Sequence, residues 1–331
     1  MKSWWAGKRV MVGGGCGFIG SYLVELLHQD GARVTVVDDL SRGKVENVSA
    51  VLQDIHVIRA DLRDPTVCQV VTAGMDVVMN LAAPVCGVGY SRIHNAEMLT
   101  SSLLINTPLL EAARLNRASR FLVCSSSCVY PDDAIVPTPE YEGERGTPDS
   151  SNEGYGWAKR IGEKQARYYA EEYGMEIAIA RPFNAYGPRD YLESEKAHVI
   201  PALIRRVLSG EDPLVVWGSG RQTRSFVHAL DIARGLKLLT EKYACADPVN
   251  IGHDRETSIR QLIERLLALT GRTPKVVCDT SKPEGPVRKS ADPTLLQKVT
   301  GGFVPNITLD EGLAEMLEFF EKTYFRAPQP F

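Results

Sequence analysis

Short runs of Val, Ile and Leu recur along the first half of the chain, separated by runs with helical spacing. "RVMVGG" (9–14) reads as a buried strand, and "FIGSYLVELLHQDG" (18–31) as a helix that ends at Gly31. "RVTVVDD" (33–39), "IHVIRADL" (55–62), "MDVVMNLAA" (75–83) and "RFLVCSSS" (120–127) continue the series of strands. Near-continuous apolar strands alternating with helices predict a parallel sheet covered on both faces. "AEMLTSSLLINTPLLEAARLN" (96–116) carries helical periodicity and fills one crossover. The polar stretch 132–154 is too long for an ordinary connection and predicts a functional or partly ordered loop. "YGWAKRIGEKQARYYAEEYG" (155–174) is a long helix closed by Gly174, and "MEIAIARPFNAYGP" (175–188) a strand and turn.

Beyond about residue 190 the pattern is mixed. Short strands ("PLVVWG", "PVNIG", "PKVVCD") alternate with the helices "HVIPALIRRVLSG", "SIRQLIERLLALTG" and "LDEGLAEMLEFFEKTYF". We expect residues 1–190 to form a nucleotide-binding domain and 191–331 mainly a smaller α/β lid-like subdomain, with later segments returning to the first. No internal repeat or low-complexity segment is evident.

Composition narrows the class. The chain has 331 residues, 44% apolar and 24% charged, as a soluble globular protein does. A net charge of −3 argues against a general nucleic-acid or anionic-membrane binder. The seven cysteines form no CxxC pair, so neither a disulfide framework nor a metal site is expected. "MKSWWAGKRVMVGGG" lacks the pattern of a signal peptide, and no run approaches about 18 uninterrupted apolar residues. A reducing cytoplasm is the expected setting.

"VGGGCGFIG" (12–20) places Gly14, Gly17 and Gly20 at three-residue spacing between a strand and a helix. Glycines let the backbone approach a pyrophosphate, and the helix N-terminus offers unpaired N–H groups and a positive dipole. Phe18 and Ile19 lie within this loop. Asp38 ends the second strand about twenty residues on, where a carboxylate accepts ribose hydroxyls and repels a 2′-phosphate. Arg42 lies close enough to soften that repulsion, but Asp38 favours NAD over NADP. Asp61 and Leu62 follow the third strand and are candidates for the adenine pocket; for Asp61 a plain turn role is the competing reading. The fold class expected is a Rossmann-type doubly wound parallel sheet.

Tyr155 and Lys159 stand at i and i+4, on one face of one helix. An ammonium beside a phenol favours phenolate, which can take a hydroxyl proton as hydride leaves for nicotinamide. Ser126 lies at a strand end and completes the set. Together these residues resemble the extended short-chain dehydrogenases/reductases of the nucleotide-sugar epimerase/dehydratase family. The matching residues are GGGCGFIG, Asp38, Asp61, NLAA (80–83), SSSCVY (125–130), YGWAK (155–159) and RPFNAYGP (181–188), across nearly the whole length. Gly13 departs from the threonine of many members, a change expected to be tolerated in a turn. The resemblance implies a tightly held NAD(P) and a catalytic Ser126, Tyr155 and Lys159. It also implies a nucleotide-diphosphate sugar substrate and a homodimer formed by pairing the two long helices into a four-helix bundle. Leu81, Ala82 and Ala83 of NLAA join the cofactor set.

Cys128 narrows the branch. Its position is cysteine in GDP-mannose 3,5-epimerases and GDP-fucose synthases. His198, in "EKAHVIPALIRR", falls where the fucose synthases carry histidine and the mannose epimerases lysine. "CGVGYSRIHNAEML" is more similar to the mannose epimerases, and "WGSGRQTRSF" and "PEGPVRKSAD" also resemble that group. Oxidation of a hexose at C4 acidifies the protons on C3 and C5, and inversion then needs an acid and a base. A thiol (pKa about 8.5) and an imidazole (about 6.5) both change protonation near neutrality. The competing readings are a buried packing thiol for Cys128 and a capping or core histidine for His198. Cys86 and Cys124 are read as packing. Candidate substrate contacts are Gly87, Asn184, Gln222 and the cations Arg206, Arg224 and Arg288, each arginine equally readable as a solvated surface residue. The expected activity is an NAD-dependent epimerase. The alternatives are an NADPH-consuming 3,5-epimerase/4-reductase and a simple 4-epimerase.

Overall fold

The computed structural model describes residues 3–84, 87–192, 197–282 and 285–325. Seven strands form its main sheet: β1 (Arg9–Gly13), β2 (Arg33–Asp38), β3 (His56–Arg59), β4 (Val77–Asn80), β5 (Arg120–Cys124), β6 (Glu176–Pro182) and β7 (Cys245–Ile251). Their order is β3-β2-β1-β4-β5-β6-β7. Every neighbouring pair is parallel. The chain reverses direction across the sheet between β1 and β4, and ligands of such sheets bind beyond the carboxyl ends at that point.

Strand alternation explains the apolar runs. Val10 and Val12 of β1 enter one core and Met11 the other; Val34 and Val36 of β2 oppose Val37 in the same way. Helix α1 (Phe18–Gln29) packs on the first face. The second face is covered by α2 (Pro65–Thr72), α3 (Asn95–Leu115) and α4 (Glu153–Tyr173). The β2–β3 crossover carries only a 3₁₀ segment, Val45–Val51. Gly13 is the last residue of β1 rather than part of a turn. A side chain there would meet the Leu62 side chain at 2.9 Å.

A third core joins α5 (Val199–Leu208), α7 (Ile259–Thr270) and α8 (Leu309–Phe320) around Tyr186, Leu203, Ile263 and Met316. "PLVVWG" and "PKVVCD" pair there as Leu214–Trp217 and Val276–Asp279, parallel to each other. "PVNIG" joins the main sheet instead, as part of β7, because Val249 and Ile251 are buried against the first core. The intervening α6 (Ala229–Lys242) packs beside α1.

The polar stretch 132–154 is tied down throughout. Thr138 N donates to Ser290 O at 2.8 Å, and Arg145 bridges Asp133 and Glu142. Among the described residues, no helix is long and apolar enough to cross a membrane.

Candidate active site

One cavity of about 2010 Å³ runs along the carboxyl ends of the strands, between the sheet and the third core. Ligand pockets are usually about 300–1,000 Å³. This volume therefore accommodates two sizeable ligands side by side.

At one end lies the glycine loop. Gly14 has φ +73°, and a Cβ there would stand 2.8 Å from Ala82 N. A Cβ on Gly20 would meet Gly14 O at 2.2 Å. The loop is therefore folded too tightly against α1 and the β4 end for side chains at these two positions. Gly17, Phe18 and Ile19 open α1 on the cavity wall. Asp38 is buried, and its carboxylate accepts from Cys16 N at 3.0 Å and Leu40 N at 2.9 Å. Burial raises its pKa and these two bonds oppose the rise. Arg42 stacks on the Tyr191 ring, 4.4 Å from its centroid. Asp61 lines the cavity beside Leu62 while Arg63 clamps its carboxylate, so the pocket and turn positions coincide. Leu81, Ala82 and Ala83 complete this end. The narrow glycine cradle at a helix start, with a carboxylate on the neighbouring strand, fits a dinucleotide.

The middle of the cavity is built on β5. The strand stops at Cys124, and Ser126 Oγ accepts from Cys128 N at 3.1 Å to cap a 3₁₀ turn, Ser127–Val129. The turn, not a continued strand, brings Ser126 and Cys128 to the same wall; Ser125 and Ser127 border it too but are more deeply buried. Arg160 of α4 locks this turn, donating to Val129 O at 2.8 and 2.6 Å. The same helix presents Tyr155 and Lys159. Lys159 Nζ donates to Cys124 O at 2.7 Å and stands 5.1 Å from the Tyr155 ring centroid. Burial lowers the Lys159 pKa. Cys124, expected in the core, is half-buried: it packs on the first core and also lines the cavity.

The far wall comes from the third core. His198 sits at the N-cap of α5, where its ring does not cap the helix. Its Nδ1 lies instead 3.0 Å from Oδ2 of Asp190. The Asp190 charge raises the His198 pKa, against burial and Arg42. Asn184 Oδ1 and Gln222 Oε1 are buried on this wall without a hydrogen-bond partner. Arg224 donates to Thr223 O at 2.7 Å and Pro286 O at 2.8 Å, and burial lowers its pKa. Arg206 reaches the wall, but its guanidinium is bound by Glu211, with Nε 2.7 Å from Oε2. Gly87 lines the cavity, and Cys86 lies outside the described residues.

Arg288 is the exception. It is exposed, paired with Glu256, and absent from the cavity wall. It shares a two-residue strand with Lys289, and alternation turns Lys289 inward in its place. Sequence reasoning missed Lys289, its buried partner Asp149, and Asp190. Among the described residues, no group of three or more His, Cys, Asp or Glu is placed to hold a metal ion.

The reversed strand order, the glycine cradle and the Tyr155/Lys159 pair define a dinucleotide-dependent enzyme of the doubly wound α/β class. Residues 10–252 match the NAD dependent epimerase/dehydratase family, and the chain belongs to it. It is 37% identical over 248 residues to putative GDP-L-fucose synthase 2 of Oryza sativa subsp. japonica, covering 73% of this chain and 71% of that protein. GDP-mannose 3,5-epimerase 1 of the same plant is 30% identical over 306 residues, covering 92% and 79%. The UDP-glucose 4-epimerase of Thermotoga maritima, solved with UDP-glucose, superposes with a TM-score of 0.86 at 32% identity, covering 95% of this chain and 99% of that one.

Proposed function

We propose that the protein is an NAD-dependent nucleotide-sugar epimerase, most like a GDP-mannose 3,5-epimerase. It oxidises a hexose at C4, epimerises C3, C5 or both through Cys128 and His198, and re-reduces C4. The observation that carries this reading is one cavity lined by Ser126, Tyr155, Lys159, Cys128 and His198. NAD held in the glycine cradle supplies the hydride acceptor and donor. Tyr155 takes the C4 hydroxyl proton, Lys159 sets its charge environment, and Ser126 orients the hydroxyl. Cys128 and His198 exchange protons at the carbons beside the ketone. Arg224 faces the substrate diphosphate, and the unpaired oxygens of Asn184 and Gln222 await donors from the sugar or base. Asp38 supports NAD over NADP, because a 2′-phosphate would add negative charge beside a buried carboxylate.

A second reading is an NADPH-consuming 3,5-epimerase/4-reductase acting on a 4-keto-6-deoxy sugar. His198 and the 37% identity to a protein named as a putative GDP-L-fucose synthase favour it. Incubation with GDP-mannose in deuterium oxide tests the first reading: deuterium should enter at C3, C5 or both. Stoichiometric NADPH oxidation with a GDP-4-keto-6-deoxyhexose would establish the second. No exchange with any nucleotide hexose would defeat both.

A further inference from the structure

A buried ion pair lies beside the Cys128 turn, and the proposed reaction assigns it no role. Lys289 Nζ is 2.8 Å from Asp149 Oδ2, with the two side chains 12% and 5% exposed. Both line the same cavity as Cys128. The backbone fixes each partner. Asp149 N donates to Cys128 O at 3.2 Å, tying the carboxylate's segment to the turn. Asp149 Oδ1 accepts from Ser151 N at 2.9 Å. Lys289 O accepts from Ser225 N at 2.9 Å, and Ser290 O is held by Thr138 N. Desolvating two charges is costly, so a buried pair is weak evidence of a stabilising role. Its place on the same cavity wall as a half-buried thiol, with Asp149 tied to that thiol's own turn, suggests a role in chemistry instead.

We infer that Lys289, anchored by Asp149, is a positioning residue that sets the thiolate population of Cys128 and so equips that thiol to act as the base. This inference rests on the proposed role of Cys128. Burial pushes the thiol up, and Lys289 is the largest influence pulling it down. Asp149 pushes upward less strongly, while a hydrogen bond with Ser126 and the charge of Lys159 add smaller downward pulls. In the step itself, Cys128 Sγ takes the proton from the carbon beside the C4 ketone. The C–H electron pair moves into the enolate, whose charge rests on the ketone oxygen. His198 Nε2–H then delivers a proton to the carbon, and the ketone is regenerated. A thiolate needs a cation nearby to form near neutrality in a half-buried site.

The test reads the thiol directly and needs no sugar. Alkylation of Cys128 by iodoacetamide, followed by peptide mass spectrometry across pH, gives its titration in the full chain. Lys289→Met should move that titration to higher pH and slow alkylation near neutrality by about three- to tenfold. Lys289→Arg should keep the charge and restore most of the rate. Because Lys289→Met leaves Asp149 unpaired, the double variant Lys289→Met/Asp149→Asn serves where the single one does not fold. It should also shift upward, since the pull of Lys289 exceeds the push of Asp149. Titrations that superimpose on the unsubstituted protein would overturn the inference. A shifted titration with no deuterium entering any nucleotide sugar would leave the control of the thiol standing and defeat the proposed reaction instead.

Discussion

His198 Nδ1 is held between both oxygens of the Asp190 carboxylate, at 3.0 and 3.2 Å, and Asp190 is only 3% exposed. This fixes one ring nitrogen and leaves Nε2 for proton transfer. The nearby negative charge favours imidazolium, so the ring rests as an acid at higher pH than a free histidine would. Replacing His198 by Ala should cost about 10²–10⁴ in carbon–proton exchange. Asp190→Asn should lower the His198 pKa and move the alkaline limb of the exchange profile to lower pH.

The same pair has a stability signature. The folded-state pKa of His198 is raised, so its contribution is complete below the unfolded value of about 6.5 and is lost as pH rises through the folded value. The melting-temperature gap between the unsubstituted protein and Asp190→Asn should therefore be wider near pH 5.5 than near pH 9. A gap independent of pH would show that Asp190 does not act through the charge of His198.

Cys128 separates the carbanion reaction from simple inversion at C4. Cys128→Ala should reduce deuterium entry at C3 and C5 by about 10²–10⁴. In the proposed reaction the C4 step relies on Tyr155 and Lys159 and not on Cys128, so reduced nicotinamide should still form on the bound cofactor when sugar is added. Undiminished carbon exchange would make Cys128 a packing residue. Full activity with no carbon exchange in the unsubstituted protein would identify a 4-epimerase.

How much of this was legible in the sequence follows from how local each feature is. Gly14, Gly17 and Gly20 belong to one loop and the first turn of the helix it opens, and Tyr155 and Lys159 to one helix, so their spacing is readable locally. Asp190 lies only eight residues before His198, but an acidic residue in a turn carries no sign of its partner. Asp149 and Lys289 are 140 positions apart and meet only because the 132–154 segment folds back on the strand 288–289. Arg288 and Lys289 are both cations in one motif. Which of them faces the cavity depends on the phase of a two-residue strand, and nothing in the local pattern sets that phase. Ser126 and Cys128 reach the same wall through a capped turn that begins where the strand stops, at Cys124, and the apolar pattern does not mark that change.

The glycine cradle makes a direct prediction about cofactor binding. In Gly20→Ala the new Cβ would stand 2.2 Å from Gly14 O, a backbone atom with no rotamer to yield. The loop must move away from α1, with a loss of about 1–3 kcal/mol of stability, the usual cost of overpacking. The change should also displace the N–H groups proposed to face the cofactor pyrophosphate. Thermal stabilisation by NAD should fall well below that of the unsubstituted protein, since a ligand stabilises only as far as it binds the folded state. Equal stabilisation by NAD would show that the cofactor does not use this loop.

The two long helices carry the last prediction. α3 and α4 pack on the sheet through Leu109, Leu110, Ala112, Ala113 and Ala166. Their outer side nevertheless exposes Leu104 of α3 and Trp157, Ile161 and Tyr168 of α4, with Tyr168 59% exposed. Trp157, Ile161 and Tyr168 fall at i, i+4 and i+11, one stripe along α4. We propose that a second copy of the chain covers this stripe and completes a four-helix bundle. A stable interface of about 1,600 Å² would need most of both helices. Light scattering should therefore give twice the chain mass, and Ile161→Arg/Tyr168→Arg should give the single mass with a lower melting temperature. A monomeric unsubstituted protein at micromolar concentration would reject the bundle. A dimer that survives both substitutions would place the interface elsewhere.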